Sequence, residues 1–230
     1  MKPLLEVSNL SYSYPDGTSA LKEISLRIEA GENVALLGPN GSGKTTLLLH
    51  LNGTLLGSGK ITVAGISVNK HTLKEIRREV GIVFQDPDGQ LFMPTVLGDV
   101  MFGLLNMGCG RAAAREQAMQ ALDQVGLSPE YADRPPFHLS AGEKRRVALA
   151  GVLVMSPKLL ILDEPTSWLD PPGQRGLTDL LRTLPQPKLI ATHDASFVLA
   201  LTSRAIFLRA GRILADGPAS EIIDRFNWRC

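Results

Sequence analysis

The chain has 230 residues, 44% of them apolar, which is enough to bury the core of one large domain or of a domain with an added lobe. Lysine and arginine number 24 against 23 acids, so there is no charge excess to hold nucleic acid or an anionic membrane surface, and a nucleic-acid partner is not expected. Cys109 and Cys230 are too few for a disulfide framework and lack metal-ligand spacing, so reduced thiols in a reducing compartment are expected.

At the amino terminus, Met1-Lys2-Pro3-Leu4-Leu5-Glu6 has an acid where a secretion signal would carry its apolar stretch. Ile24, Leu26 and Ile28 alternate with Ser25, Arg27 and Glu29, the period of a half-exposed antiparallel strand. Val34-Ala35-Leu36-Leu37 predicts a buried strand, and Thr46-Leu47-Leu48-Leu49 begins a helix after it. Ile82-Val83-Phe84 predicts another short strand. The segment from Thr95 to about Val125 is helical in character, with Ala112 to Ala121 rich in helix formers and Gly126 placed to end it. It predicts a helical lobe, about 92–155, inserted into an α/β core. The longest apolar run, Val147 to Met155, falls well short of the ~20 residues a membrane-spanning helix needs. Leu159-Leu160-Ile161-Leu162 and Leu189-Ile190-Ala191 predict further buried strands, and Ala205 to Gly217 reads as two strands around Ala210-Gly211. No repeat, low-complexity tract or interdomain linker divides residues 1–230.

Gly38-Pro39-Asn40-Gly41-Ser42-Gly43-Lys44-Thr45 matches G-x-x-x-x-G-K-[ST], between a predicted strand and a predicted helix as a phosphate loop requires. Its glycines let backbone N–H groups close around phosphates at a positive helix end, Lys44 adds a charge on the same oxygens, and Thr45 offers its hydroxyl to Mg²⁺. Leu159-Leu160-Ile161-Leu162-Asp163-Glu164 is an apolar strand that ends in two acids. Carboxylates delivered there are unfavourable without a cation, and Mg²⁺ on a nucleotide is that cation. Combined with the loop, the pair predicts Asp163 in the Mg²⁺ shell and Glu164 on the attacking water.

Leu139-Ser140-Ala141-Gly142-Glu143 is close to the L-S-G-G-[QE] signature of ATP-binding-cassette (ABC) ATPases, and the chain resembles the nucleotide-binding subunits of ABC transporters over nearly all its length. The resemblance implies a P-loop NTPase core of ABC-ATPase type, with an antiparallel β part and the inserted lobe. It also implies a head-to-tail pair enclosing two Mg-ATP. One subunit would hold ATP with Tyr14, Gly38, Pro39, Asn40, Gly41, Ser42, Gly43, Lys44, Thr45 and Thr46, with Tyr14 stacked on adenine. The other would bring Ser140, Ala141, Gly142 and Glu143 to the γ-phosphate. Gln85 would sense Mg²⁺ and the water, Thr45, Gln85 and Asp163 would serve the metal, and Glu164, His193 and Gln85 the chemistry, His193 as the switch on the γ-phosphate. Ser167-Trp168-Leu169-Asp170 matches the D-loop.

Two positions depart from the family pattern. Ala141 stands in place of the first signature glycine and implies slower or weaker closure, and Trp168 puts a large side chain at the implied subunit interface as an anchor or a local gap-filler. Lys144-Arg145-Arg146, on the helix after the signature, predicts a solvated or salt-bridged face.

Phe84-Gln85-Asp86-Pro87-Asp88-Gly89-Gln90-Leu91-Phe92-Met93-Pro94-Thr95-Val96, with Gly142 to Ala148, is similar to cobalt, nickel and vitamin importers of the energy-coupling-factor type. Leu91, Phe92 and Met93 suit a groove for a membrane subunit, shared in part with the lobe core. The implied protein is an ATPase that powers an importer from the cytoplasmic face of the cell membrane. Cobalt leads over nickel, with biotin-type vitamin import, and more remotely a soluble non-transport ABC ATPase, as alternatives. Its partners would be a second ATPase subunit, identical or related, and integral membrane subunits. The short carboxyl-terminal end implies a monomer without ATP.

Overall fold

Strands lead the chain: β1 (Leu5–Ser13), β2 (Ser19–Ile28) and β3 (Val34–Leu37) precede helix α1 (Lys44–Leu51), then β4 (Ser58–Val63), β5 (Ile66–Ser67), α2 (Leu73–Glu79) and β6 (Val80–Val83). Three helices follow, α3 (Val96–Asn106), α4 (Arg111–Gln124) and α5 (Ala141–Leu153). The chain then alternates through β7 (Leu159–Asp163), α6 (Pro171–Thr183), β8 (Lys188–Ala191), α7 (Ala195–Leu201), β9 (Arg204–Arg209) and β10 (Arg212–Pro218) to α8 (Ala219–Arg225). This computed structural model describes residues 2–228, so Cys230 lies outside the described residues; Cys109 carries a free thiol.

A four-stranded antiparallel sheet, ordered β2-β1-β4-β5, packs beside a six-stranded sheet ordered β10-β9-β3-β8-β7-β6. In the second sheet β9, β3, β8, β7 and β6 run parallel, with β10 antiparallel at the edge. The alternation read in β2 holds: Ile24, Leu26 and Ile28 are buried and Ser25 and Arg27 exposed. Residues 34–37, 159–163 and 188–191 are buried on both faces, as covered parallel strands must be. Residues 205–217 form the expected hairpin, with Ala210 at φ 49 and Gly211 at φ 78, the two left-handed positions of a two-residue primed turn.

The helical stretch expected from Thr95 to Val125 is two helices, because Gly108 takes φ 86 and the chain turns before α4 begins. Gly126 ends α4 as expected: at φ 75 it lets Leu127 N–H reach the Leu122 carbonyl at 2.9 Å. The core of α3, α4 and α5 is continuous with one face of the large sheet through Val83, Leu160 and Leu162. Among the described residues no helix is long and apolar enough to cross a membrane.

His50 of α1 is fully buried, its Nδ1 2.7 Å from the Thr46 carbonyl and its ring edge-on to Tyr12. Burial pushes its pKa below the ordinary value, and the Thr46 contact offsets this only in part. The folded state therefore binds fewer protons here than the unfolded chain, so this stability is present above pH ~6.5 and is lost as pH falls below it. Urea unfolding at pH 7.5 and pH 5 should show a His50→Leu variant losing less stability across that interval than the wild type.

Candidate active site

The phosphate loop leaves the carboxyl end of β3, and its glycines answer to packing as well as to a ligand. A Cβ on Gly38 would lie 2.0 Å from the Leu208 carbonyl oxygen, and one on Gly43 would lie 2.7 Å from that of Ala20. Gly43, at φ 104, caps α1 with no side chain, so the N–H groups of the first turn are left for an anion. Lys44 is buried and turns back along the loop, its Nζ donating to the Gly38 carbonyl at 2.7 Å and to that of Pro39 at 3.3 Å.

Two acids arrive from β7. Asp163 closes the strand and accepts a 2.8 Å hydrogen bond from the Thr45 hydroxyl. Glu164 follows at φ 45, a left-handed position that is strained for a residue with a side chain. One of its carboxylate oxygens lies 3.9 Å from Lys44 Nζ, and the other lies 2.8 Å from His193 Nδ1. His193 sits between β8 and α7, so three parallel strands converge their carboxyl ends on one point. Burial pushes the Asp163 carboxyl up, opposed first by the Thr45 hydrogen bond, and the Lys44 ammonium down, opposed by the Glu164 and Asp163 charges.

These groups line one cavity of about 730 Å³, with Tyr14, the loop from Gly38 to Thr46, Gln85, Asp163, Glu164 and His193 in its wall. Every residue expected from one subunit is thus brought together, whereas Ser140, Ala141, Gly142 and Glu143 are not among the lining residues. Within the cavity wall, Tyr14 hydrogen-bonds Thr46 Oγ1 at 2.9 Å and meets the Tyr12 ring edge-on. Thr46 therefore also fixes the aromatic in the cavity wall.

A magnesium polyphosphate fits this wall. Asp163 Oδ1 and Ser42 Oγ are buried without a hydrogen-bond partner, and hard oxygen donors are what Mg²⁺ and phosphate-bound cations take. No cluster of three His, Cys, Asp or Glu side chains among the described residues could hold a metal alone, which suits an ion held by one or two carboxylates and substrate phosphates.

The sequence model described as ABC transporter matches residues 21–167. The chain belongs to the ABC transporter family. It is an ATP-hydrolysing ABC ATPase, and its fold is that of solved cassettes. cbiO1 from Clostridium perfringens, part of the ABC transporter complex cbiONQ, superposes with a TM-score of 0.86 at 40% identity, covering 98% of this chain and 92% of that one. A dimeric ATP-binding cassette in a post-hydrolysis state with ADP and Pi gives a TM-score of 0.84 at 27% identity, covering 94% and 98%. The energy-coupling factor transporter ATP-binding protein EcfA of Methanosphaera stadtmanae is 46% identical over 228 residues, 96% of this chain and 82% of its own.

The signature of this ABC ATPase stands at the start of α5. Ser140 is the N-cap in a reciprocal capping box, and Glu143 also accepts from the Tyr131 hydroxyl at 2.6 Å, so the Glu143 carboxylate is spent on building the helix end. Ala141 is exposed, and a Cβ on Gly142 would meet nothing nearer than Leu169 at 3.9 Å, so the fold of this chain does not itself demand glycine there. In the D-loop, Asp170 caps α6 by accepting from Gly173 N–H at 2.8 Å, and Trp168 stands at φ 62 with 66% of its surface exposed.

The basic run after the signature is salt-bridged at Lys144, as expected, but is not a surface face at Arg145. Lys144 is paired with Asp88 at 2.6 Å, but Arg145 is buried, donating to the Phe84 carbonyl at 2.7 Å and the Ser167 carbonyl at 3.3 Å. It ties the signature helix to the residue before Gln85 and to the first D-loop residue. Burial pushes its pKa below the ordinary arginine value, and Asp86 and Asp163 oppose that. The signal lay in spacing: on a helix with Ala148, Leu149 and Val152 inward, position 145 shares their face.

Proposed function

We propose that this ABC ATPase powers a membrane importer of the energy-coupling-factor type, with transition-metal cations as solute, cobalt before nickel. Two chains, identical or related, would pair head to tail around two Mg-ATP. In each site Asp163, Thr45 and Gln85 would hold Mg²⁺, Tyr14 would stack on adenine, and Ser140 and Gly142 of the partner would clamp the γ-phosphate. Glu164 would orient the attacking water, and His193, now bonded to Glu164, would also reach the γ-phosphate. The chain would sit peripherally on the cytoplasmic face of the cell membrane. The relatives named EcfA and cbiO1 support the importer class, and the exposed Trp168 supports a D-loop anchor at the pair interface.

The observation that carries the transport role is the aromatic step after Gln85. Phe92 is 61% exposed and meets the exposed Phe102 edge-on at 4.8 Å, while Asp99 fixes the loop by accepting from the N–H groups of Phe92 and Met93 at 3.0 Å each. Beside it lies a groove of about 810 Å³ between α2, β6 and α3, walled by Phe84, Phe102, Met107 and Met155. Leu91 instead packs against the helical core, so the docking surface is Phe92 and Met93 with this groove. Replacing both Phe92 and Met93 by Asp should abolish copurification with the membrane subunits while leaving nucleotide affinity unchanged. An undiminished complex yield rejects the docking reading. Uptake of labelled Co²⁺, Ni²⁺ and biotin by cells with and without the subunit reads the solute, and biotin uptake alone replaces the metal by a vitamin.

A further inference from the structure

Trp228 lines the same cavity as the phosphate loop, although no motif includes it. Its position is built by the end of α8. Asn227 takes φ 50, its N–H bonding the Asp224 carbonyl at 3.1 Å, and the N–H of Trp228 bonds the Ile223 carbonyl at 2.8 Å. This is the paired closure of a helix end through one left-handed residue, a place that asparagine fills at little strain. The turn delivers the indole edge-on to Phe207, with ring centroids 5.3 Å apart, and Phe226 stacks on the same Phe207 at 3.7 Å.

Phe207 pairs in register with Leu37, the residue before Gly38. The indole therefore borders the cavity from the strand that neighbours the start of the phosphate loop. Its Nε1–H is buried and has no partner among the described residues. A buried donor without an acceptor is unfavourable, and the polyphosphate that belongs in this cavity is rich in acceptors.

We propose that Trp228 is a nucleotide-contacting residue whose indole N–H donates to a phosphate oxygen of bound ATP or ADP. The inference rests on the nucleotide reading of the cavity and on nothing about the transported solute. It makes the carboxyl-terminal turn part of the binding site, where a purely packing role would leave it as a plug over Phe207.

Phenylalanine separates these roles, since it keeps a ring against Phe207 and lacks the donor. Calorimetric titration with Mg-ADP should show Trp228→Phe binding about tenfold more weakly than wild type, the scale of one lost hydrogen bond to a charged acceptor, at an unchanged melting temperature. The chain has two tryptophans, so Trp168→Phe leaves Trp228 as the sole emitter, and its fluorescence should change on saturation with Mg-ADP. Wild-type ADP affinity in Trp228→Phe overturns the proposal, as does an unchanged emission at saturation. Should Trp228→Phe fold poorly, the emission measurement decides by itself. A wild-type protein that fails to bind Mg-ADP would instead overturn the nucleotide reading, which keeps the two failures apart.

Discussion

Lys44→Ala is expected to lower ATP turnover by at least about a thousandfold and to weaken nucleotide binding by about a hundredfold. The ammonium is buried in the loop that must neutralise the phosphates, and its hydrogen bonds run to the carbonyls of Gly38 and Pro39, which hold it in place before any ligand arrives. Charge-assisted contacts to phosphate are each roughly twice as strong as neutral ones, and a low-dielectric wall strengthens them further. The fold should survive at reduced stability, because Lys44 hydrogen-bonds only carbonyls of its own loop, and Glu164, which loses its buried partner at 3.9 Å, keeps its bond to His193. Phosphate release and Mg-ADP calorimetry on the purified variant check both numbers. Wild-type turnover would remove Lys44 from the site.

Much of the site was legible because the chemistry constrains local sequence. A strand, a glycine turn and a lysine must be adjacent in the chain to make a phosphate cradle, so Gly38 to Thr45 declares itself, and an apolar strand ending in Asp163 and Glu164 does the same. The strand β1 was not legible: Asn9 takes φ 51 and the register slips between Val7 and Leu10, so the alternation that marks a strand is broken by a bulge. Helix α6 begins with Pro171-Pro172 and contains Gly173 and Gly176, residues that read as a loop, and its formation rests on the Asp170 cap and burial of Leu177 and Leu181. Arg145 and Trp228 escaped for a different reason. Their roles depend on partners distant in sequence: the carbonyls of Phe84 and Ser167 for the one, the ring of Phe207 for the other. Leu91 and Phe92 are adjacent and equally apolar, yet one is drawn into the core and the other left outside, a choice made by the loop that Asp99 fixes.

Glu164→Gln should retain Mg-ATP binding, lose hydrolysis by at least about a thousandfold and accumulate as a dimer. Glutamine keeps the shape of the side chain and can still hydrogen-bond His193, 2.8 Å from the carboxylate, so the strained turn at φ 45 and the cavity wall should persist. What it loses is the basic oxygen proposed to orient water, and with it the proposed step after which the pair reopens. The signature residues Ser140 and Gly142 do not line the cavity of their own chain, and on the proposed head-to-tail pairing a second chain supplies them. Ser140 stands exposed at the first turn of α5, and Ser140→Arg in the Glu164→Gln background places a bulky cation where the opposing phosphate should dock. That substitution also removes a helix cap, a loss of about 1 kcal/mol that leaves the fold intact and can be read from the melting temperature. Size-exclusion chromatography with Mg-ATP should give a dimer for Glu164→Gln and a monomer for the double variant, and with Mg-ADP a monomer for both. A Glu164→Gln protein that hydrolyses ATP at the wild-type rate as a monomer ends the shared-site account and leaves a phosphate loop working alone.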